Sequence, residues 1–144
     1  MTAVTTGRCQ CGAVSYEVRG PLRQIVGCHC DMCRRISGHF VAATAAMREH
    51  FSLSGGEALR WYRSSDSARR GFCGACGSNL FWEPANKPYV CIMAGSLDKP
   101  TGLKLLRHIF ADHAGDYYRI PNDEPQQNDG DHGITIPLGD TNRS

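Results

Sequence analysis

The sequence predicts a mainly β domain with short helical turns, stapled by metal, and three observations carry that prediction. Apolar residues come in short runs, several with a period of two, and helical spacing is not sustained. The 16 Gly and 7 Pro among 144 residues imply frequent turns. Seven of the 8 cysteines fall into three tight clusters, Cys9-Gln10-Cys11, Cys28-His29-Cys30-Asp31-Met32-Cys33 and Cys73-Gly74-Ala75-Cys76. A chain of this length commonly folds as one domain. Residues 1–120 read as a single zinc-binding unit, and 121–144 as a polar, acidic and mobile tail. Only Ile134-Thr135-Ile136 stands out from that tail as apolar.

The elements follow in order. Val14, Tyr16 and Val18 alternate with Ser15, Glu17 and Arg19, the mark of a half-buried strand. Ile25-Val26-Gly27 and Phe40-Val41-Ala42-Ala43-Thr44 are further short apolar strands, followed by Phe51-Ser52-Leu53 and Leu59-Arg60-Trp61-Tyr62 with a Gly55-Gly56 turn between them. Leu80-Phe81-Trp82 and Tyr89-Val90-Cys91-Ile92-Met93 flank a Pro-rich loop and read as a hairpin. Leu105 to Phe110 is the last strand. Helix is confined to one or two turns at Cys33–Ser37, ended by Gly38, and another at Met47–His50.

Composition narrows the function. No stretch approaches the roughly 20 apolar residues of a membrane span, and Met1 to Thr6 lacks the regions of a signal peptide. A cytoplasmic location is therefore expected, where thiols stay reduced and clustered cysteines serve as metal ligands before disulfides. The net charge of +2 hides an asymmetry: residues 1–110 carry 14 Lys+Arg against 7 Asp+Glu, and residues 111–144 carry 2 against 7. Arginine outnumbers lysine thirteen to three, which suits a small anionic ligand and equally an arginine-rich soluble surface. No dense basic run marks a nucleic-acid arm.

Cys73-Gly74-Ala75-Cys76-Gly77 and Cys9-Gln10-Cys11-Gly12 each present two sulfurs ahead of a glycine, and together they make the four-cysteine set of a structural zinc. The rival reading, a redox Cys-x-x-Cys, needs a helix N-terminus in a βαβ context that the pattern lacks. Cys28, Cys30 and Cys33 supply three thiolates, the protein's share of a catalytic zinc with one position for another ligand. His29 lies between two ligands and in an extended segment points the other way, so it reads as a pocket group. His108, His39 or an external ligand is left for the fourth position. Three thiolates make zinc a poor Lewis acid but leave it soft enough to hold an incoming thiol as its thiolate, the nucleophilic form. Arg34 and Arg35 follow the cluster and are candidates to hold a substrate's carboxylates. The competing readings are a second structural zinc with a distant fourth ligand and a metal-free reactive thiol cluster. Cys91 reads as a buried small hydrophobe, His108 as a core histidine or a ligand, and Trp61 and Trp82 as core.

These clusters, in this order, resemble the glutathione-dependent formaldehyde-activating enzyme family, which includes the centromere protein V relatives. The residues that carry the resemblance are Gly7 to Gly12, Cys28 to Arg34 and Cys73 to Ser78, supported by Tyr62-Arg63-Ser64-Ser65, Arg70-Gly71-Phe72-Cys73, Gly95-Ser96-Leu97-Asp98, His108-Ile109-Phe110 and Asn122-Asp123-Glu124-Pro125. It implies a zinc-bearing β-tent, a structural four-cysteine zinc and a catalytic three-cysteine zinc. It also implies a carbon–sulfur lyase, running in reverse as condensation of glutathione with formaldehyde to S-(hydroxymethyl)glutathione. The chain departs from the family's pattern at Tyr117-Tyr118, where a tryptophan is common, and at Gln127, where an aromatic is common. The leading expectation is thus a two-zinc enzyme acting on a small thiol such as glutathione. The alternatives are a non-catalytic domain that binds a protein or nucleic acid through its basic body, and a zinc store or thiol sensor.

Overall fold

The computed structural model describes residues 4–130; the expectation for Ile134–Ile136 lies outside them. Ten strands and one α-helix run in the order β1 (Val4–Arg8), β2 (Ser15–Arg19), β3 (Ile25–Cys28), α1 (Asp31–Ser37), β4 (Val41–Met47), β5 (Phe51–Ser54), β6 (Leu59–Ser65), β7 (Ala68–Cys73), β8 (Asn79–Pro84), β9 (Tyr89–Met93) and β10 (Leu105–Ile109). Single 3-10 turns occupy Arg48–His50, Ala94–Ser96 and Ala111–His113. The protein is mainly β with few short helices, as the sequence predicts.

The strands form two sheets, one of three in the order β1-β2-β5 and one of seven in the order β10-β3-β4-β9-β8-β7-β6. Every pairing is antiparallel except β10 with β3. Alternation decides which residues meet. Tyr16 and Val18 of β2 turn inward onto Leu80, Phe81, Val90 and Ile92 of the large sheet, forming the core between the two sheets. Tyr16, Phe51 and Phe81 close the seam, with Phe81 edge-on to the other two rings at 5.4 and 5.3 Å.

A second apolar cluster lies on the other face of β4 and β9, where Val41, Ala43, Ala45, Tyr89, Cys91 and Met93 gather beside Cys33. β4 and β9 are therefore buried on both faces, which is why their sequences read as apolar runs, broken in β4 only by Thr44, whose hydroxyl bonds the Arg23 carbonyl. Two strands, β1 and β7, carry no hydrophobic signature. The inward positions of β1 are Thr5 and Gly7, and those of β7 include Arg70 and Gly71. Only their partners make them strands, β2 for the first and β6 and β8 for the second.

The Gly55-Gly56 turn carries the chain from β5 in the small sheet to β6 at the edge of the large one. Gly55 has φ of 76°, and a Cβ there would meet the Ala13 carbonyl oxygen at 1.8 Å. Gly55→Ala should therefore cost about 2–4 kcal/mol, the left-handed penalty plus the clash. The check is a lowered denaturant midpoint with an unchanged m value.

Candidate functional site

Two groups of sulfurs stand out, and each arises where strands end. Cys9 and Cys11 follow β1, Cys73 ends β7 and Cys76 lies in the turn beyond it, so the four meet where the small sheet joins the large one. Cys9 and Cys11 sulfurs are 3.7 Å apart and Cys11 and Cys73 sulfurs 3.9 Å. Those spacings exclude disulfides and match the roughly 3.8 Å edge of a tetrahedron built on Zn–S bonds of about 2.3 Å. Backbone amides already support the sulfurs: Val14 N–H donates to Cys9 Sγ and Cys76 N–H to Cys73 Sγ. Ser78 joins the two halves, accepting from Gln10 N–H at 2.9 Å and lying 3.2 Å from Cys76 Sγ. The Ser78 hydroxyl, first among several hydrogen bonds, pulls the Cys76 thiol down to about 5, into the thiolate form that a metal needs.

The second group sits on the turn from β3 into α1. Cys28 ends β3, Cys30 is the N-cap of α1 and accepts from Cys33 N–H at 3.3 Å, and Cys33 lies one turn in. Cys33 Sγ is 3.2 Å from Cys28 Sγ. Hydrogen bonds from Cys28 and then Cys33 draw Cys30 down to about 2, while the contact with Cys30 pushes Cys28 far up. Three sulfurs thus compete for protons in one small volume, the donor chemistry that a soft divalent ion resolves. Among the described residues, no histidine or carboxylate joins either sulfur group.

These three sulfurs line one side of a cavity of about 340 Å³ on the outer face of the large sheet. Its floor is Val26, Val41, Ala43, Cys91 and Met93, and its walls include Trp82, Tyr89, Ile109 and Phe110. Two guanidiniums reach it, from Arg23 and Arg70, each residue 6% exposed. Among the described residues, no Asp or Glu lines it. Arg23 is held by the carbonyls of Gln24 and Ala43, and Arg70 Nη2 lies 3.6 Å from Cys33 Sγ.

His29 points away from the sulfurs, as strand alternation requires, into a buried polar chain. Its Nδ1 bonds the Tyr118 hydroxyl and its Nε2 lies 2.8 Å from His108 Nδ1, while His108 Nε2 lies 2.7 Å from Glu124. The Glu124 carboxylate can only accept, so His108 Nε2–H donates to it, and the chain runs on through His29 to the Tyr118 hydroxyl. Gly27 makes room for the imidazole pair, since a Cβ there would lie 2.7 Å from His108 Nδ1. The same chain ties Pro121–Gly130 to β10, with His108 N–H donating to the Pro125 carbonyl and Gln127 N–H to that of His108.

The seven cysteines of the three clusters are brought together in the two groups that their spacing suggested. Arg34 and Arg35 do not line the cavity. Arg34 turns into a separate cleft with Asp31, Asp112 and Asp116, and Arg35 is exposed on α1. The arginines that do line it are Arg23, five residues before Cys28, and Arg70, far from the trio in sequence. Only the apolar neighbours of Arg23 and the inward register of β7 hinted at them. Trp82 is a cavity wall as well as core, and His108 belongs to the buried chain rather than to a sulfur group.

Comparison with known proteins places these features. The sequence model of the family described as glutathione-dependent formaldehyde-activating enzyme matches residues 4–113. An uncharacterized lyase of Schizosaccharomyces pombe is 33% identical over 86 residues, 58% of this chain and 61% of that protein. The match thus spans about three fifths of the curated relative's length. A crystal structure of a Rhodobacter sphaeroides protein superposes with a TM-score of 0.55 and 28% identity, covering 65% of this chain and 88% of that one. No helix among the described residues is long and apolar enough to cross a membrane.

Burial, then the charges of His108 and His39, lowers the His29 value to about 4, below the ordinary imidazole value of about 6.5. The unfolded chain therefore takes up this proton first, so stability present above about pH 6.5 is lost as pH falls through that value towards 4. Urea unfolding across this range should show a shallower loss in His29→Gln than in wild type. Protonation of the cysteines is common to both proteins and cancels in the difference.

Proposed function

The chain belongs to the glutathione-dependent formaldehyde-activating enzyme family, and we propose that it is a zinc-dependent carbon–sulfur lyase acting on a thiol–aldehyde adduct of the S-(hydroxymethyl)glutathione kind. The observation that carries this reading is the placement of the Cys28, Cys30 and Cys33 sulfurs on the wall of a cavity. A domain that only binds partners needs no such hollow against its sulfurs. The four-cysteine group lies apart at the junction of the sheets and suits a structural ion.

Zinc held by Cys28, Cys30 and Cys33 would keep a substrate thiol as its thiolate. In the condensing direction, the sulfur lone pair forms the C–S bond to the aldehyde carbon. The carbonyl π pair moves to oxygen, which takes up the proton that the thiol gave. Cleavage runs the same steps backwards, so no oxidant or reductant is required. The chain's own residues exclude water with the apolar floor and present Arg70 beside Cys33. His29 and His108, bonded to each other in the buried chain, fix the turn that carries Cys28 and Cys30. The lyase name of the fission-yeast relative supports the reaction type.

Exchange NMR of glutathione, formaldehyde and their adduct tests the reading. Wild type should accelerate exchange above background, and Cys30→Ser should bring it back to background while the protein stays folded. Metal analysis should find two zinc ions in wild type and a single ion in Cys30→Ser. In Cys73→Ser the sheets should come apart, with about 3 kcal/mol or more of stability lost, because structural zinc supplies folding free energy directly. Loss of fold in Cys30→Ser, or no carbon–sulfur exchange above background in fully loaded wild type with any small thiol, glutathione included, would count against the proposal.

A further inference from the structure

Arg70 is the group in the cavity that the reaction, as described, does not account for. It sits on β7 opposite Trp82, is 6% exposed, and reaches across the cavity to Cys33. Its Nε is buried with no hydrogen-bond partner among the described residues, although a guanidinium carries five donors in a rigid fork. Leaving such a donor unpaired costs about 1–3 kcal/mol. Its Nη2 donates to Cys33 Sγ and its charge favours the thiolate there, so the guanidinium already serves the sulfur trio and leaves its remaining donors for a further partner. A planar anion in the cavity would pair with the part of the guanidinium that lines it, not with the enclosed Nε.

The rest of the cavity limits what that ligand is. Apart from the sulfurs and the two arginines, its lining is almost wholly aliphatic and aromatic, with Trp82, Met93 and Phe110 prominent. Peptide groups or an ammonium placed there would lose their water without gaining partners. The anion must also lie near the reacting sulfur, since Arg70 Nη2 is 3.6 Å from Cys33 Sγ. Glutathione carries its carboxylates at the two ends of a tripeptide, with peptide groups and an ammonium between and beside them.

We infer that the cavity selects, in preference to glutathione, a thiol with an apolar body and a single carboxylate close to its sulfur, and that the Arg70 guanidinium receives this carboxylate. Arylalkyl and branched-alkyl mercapto acids belong to this class. The inference rests on the three-cysteine group being where the substrate sulfur is held, and it names the substrate of that same site.

Phenylacetate and its neutral isostere phenylacetamide probe the fork without any sulfur. Titrated into the zinc-loaded protein and read by quenching of Trp82 fluorescence, phenylacetate should bind roughly 10- to 100-fold more tightly than the amide, the ratio expected of a charge-assisted pair. Arg70→Gln should bring that ratio to about one, and Arg70→Lys should keep a reduced preference, as a point charge without a fork. Should Arg70→Gln fail to fold, the intermediate ratio in Arg70→Lys carries the test. Equal binding of the two probes in wild type, or a preference that survives in Arg70→Gln or undiminished in Arg70→Lys, overturns the inference. Glutathione exchange without phenylacetate selection would sink this inference and leave the lyase reading. Phenylacetate selection without carbon–sulfur exchange for any thiol, 2-mercapto-3-phenylpropanoate included, would remove the lyase reading and the mercapto acid with it, leaving only an anion pocket at Arg70.

Discussion

Four sulfurs crowded at one seam are the constraint on which the rest of this structure depends. Cys9 and Cys11 leave the small sheet, Cys73 and Cys76 leave the large one, and all four ligand atoms lie within 4.8 Å of one another. Thiolates that close repel, so the arrangement calls for a divalent cation that turns repulsion into a cross-link. Everything beyond the seam benefits. The aromatic trio of Tyr16, Phe51 and Phe81 packs only if the small sheet is registered on the large one. Buried Cys9 and Cys73 belong to that same core, so sulfur geometry and hydrophobic packing are satisfied together.

A second economy operates at β3. Because successive side chains on a strand face opposite ways, Cys28 and Cys30 reach the cavity while His29 is driven to the far side. One dipeptide step thereby separates soft-metal chemistry from an imidazole chain that runs from Tyr118 through His108 to Glu124. That chain uses the far side to anchor Pro121–Gly130 along β10, through the parallel bridge of His108 with Gln126. The anchored segment in turn brings Gly130 to the rim of the cavity. The acidic stretch after Pro121 is therefore part of the site's surroundings, for a reason invisible in its composition: its contacts are backbone bonds and one carboxylate, not apolar burial.

Charge is sorted by the fold as well. The arginine-rich body supplies two guanidiniums to a hollow that, among the described residues, holds no carboxylate. Other arginines do structural work: Arg69 stacks 3.8 Å from the Trp61 ring centroid and bonds Glu83 at 2.6 Å. Arg34, next to the sulfur trio in sequence, faces the acidic cleft instead. A helix explains the difference: Cys33 turns inward to pack, so Arg34, one residue or roughly 100° further round, cannot share its direction.

By itself the sequence determined the mainly β class, the hairpin of β8 and β9, the short helix closed by Gly38, and the division of the cysteines into a four and a three. Each of these is local chemistry: period-two burial, a left-handed cap, and sulfur pairs set by close spacing. Tertiary structure alone decided that β1 and β7 are strands, because Thr5, Gly7, Arg70 and Gly71 gain their burial from partners remote in the chain. It alone decided that Arg70 rather than Arg35 faces the trio, and that Glu124 completes a chain begun at His29. Those juxtapositions join residues dozens of positions apart, and the choice of which remote strands pair, settled by packing across the whole sheet, is what brings them together.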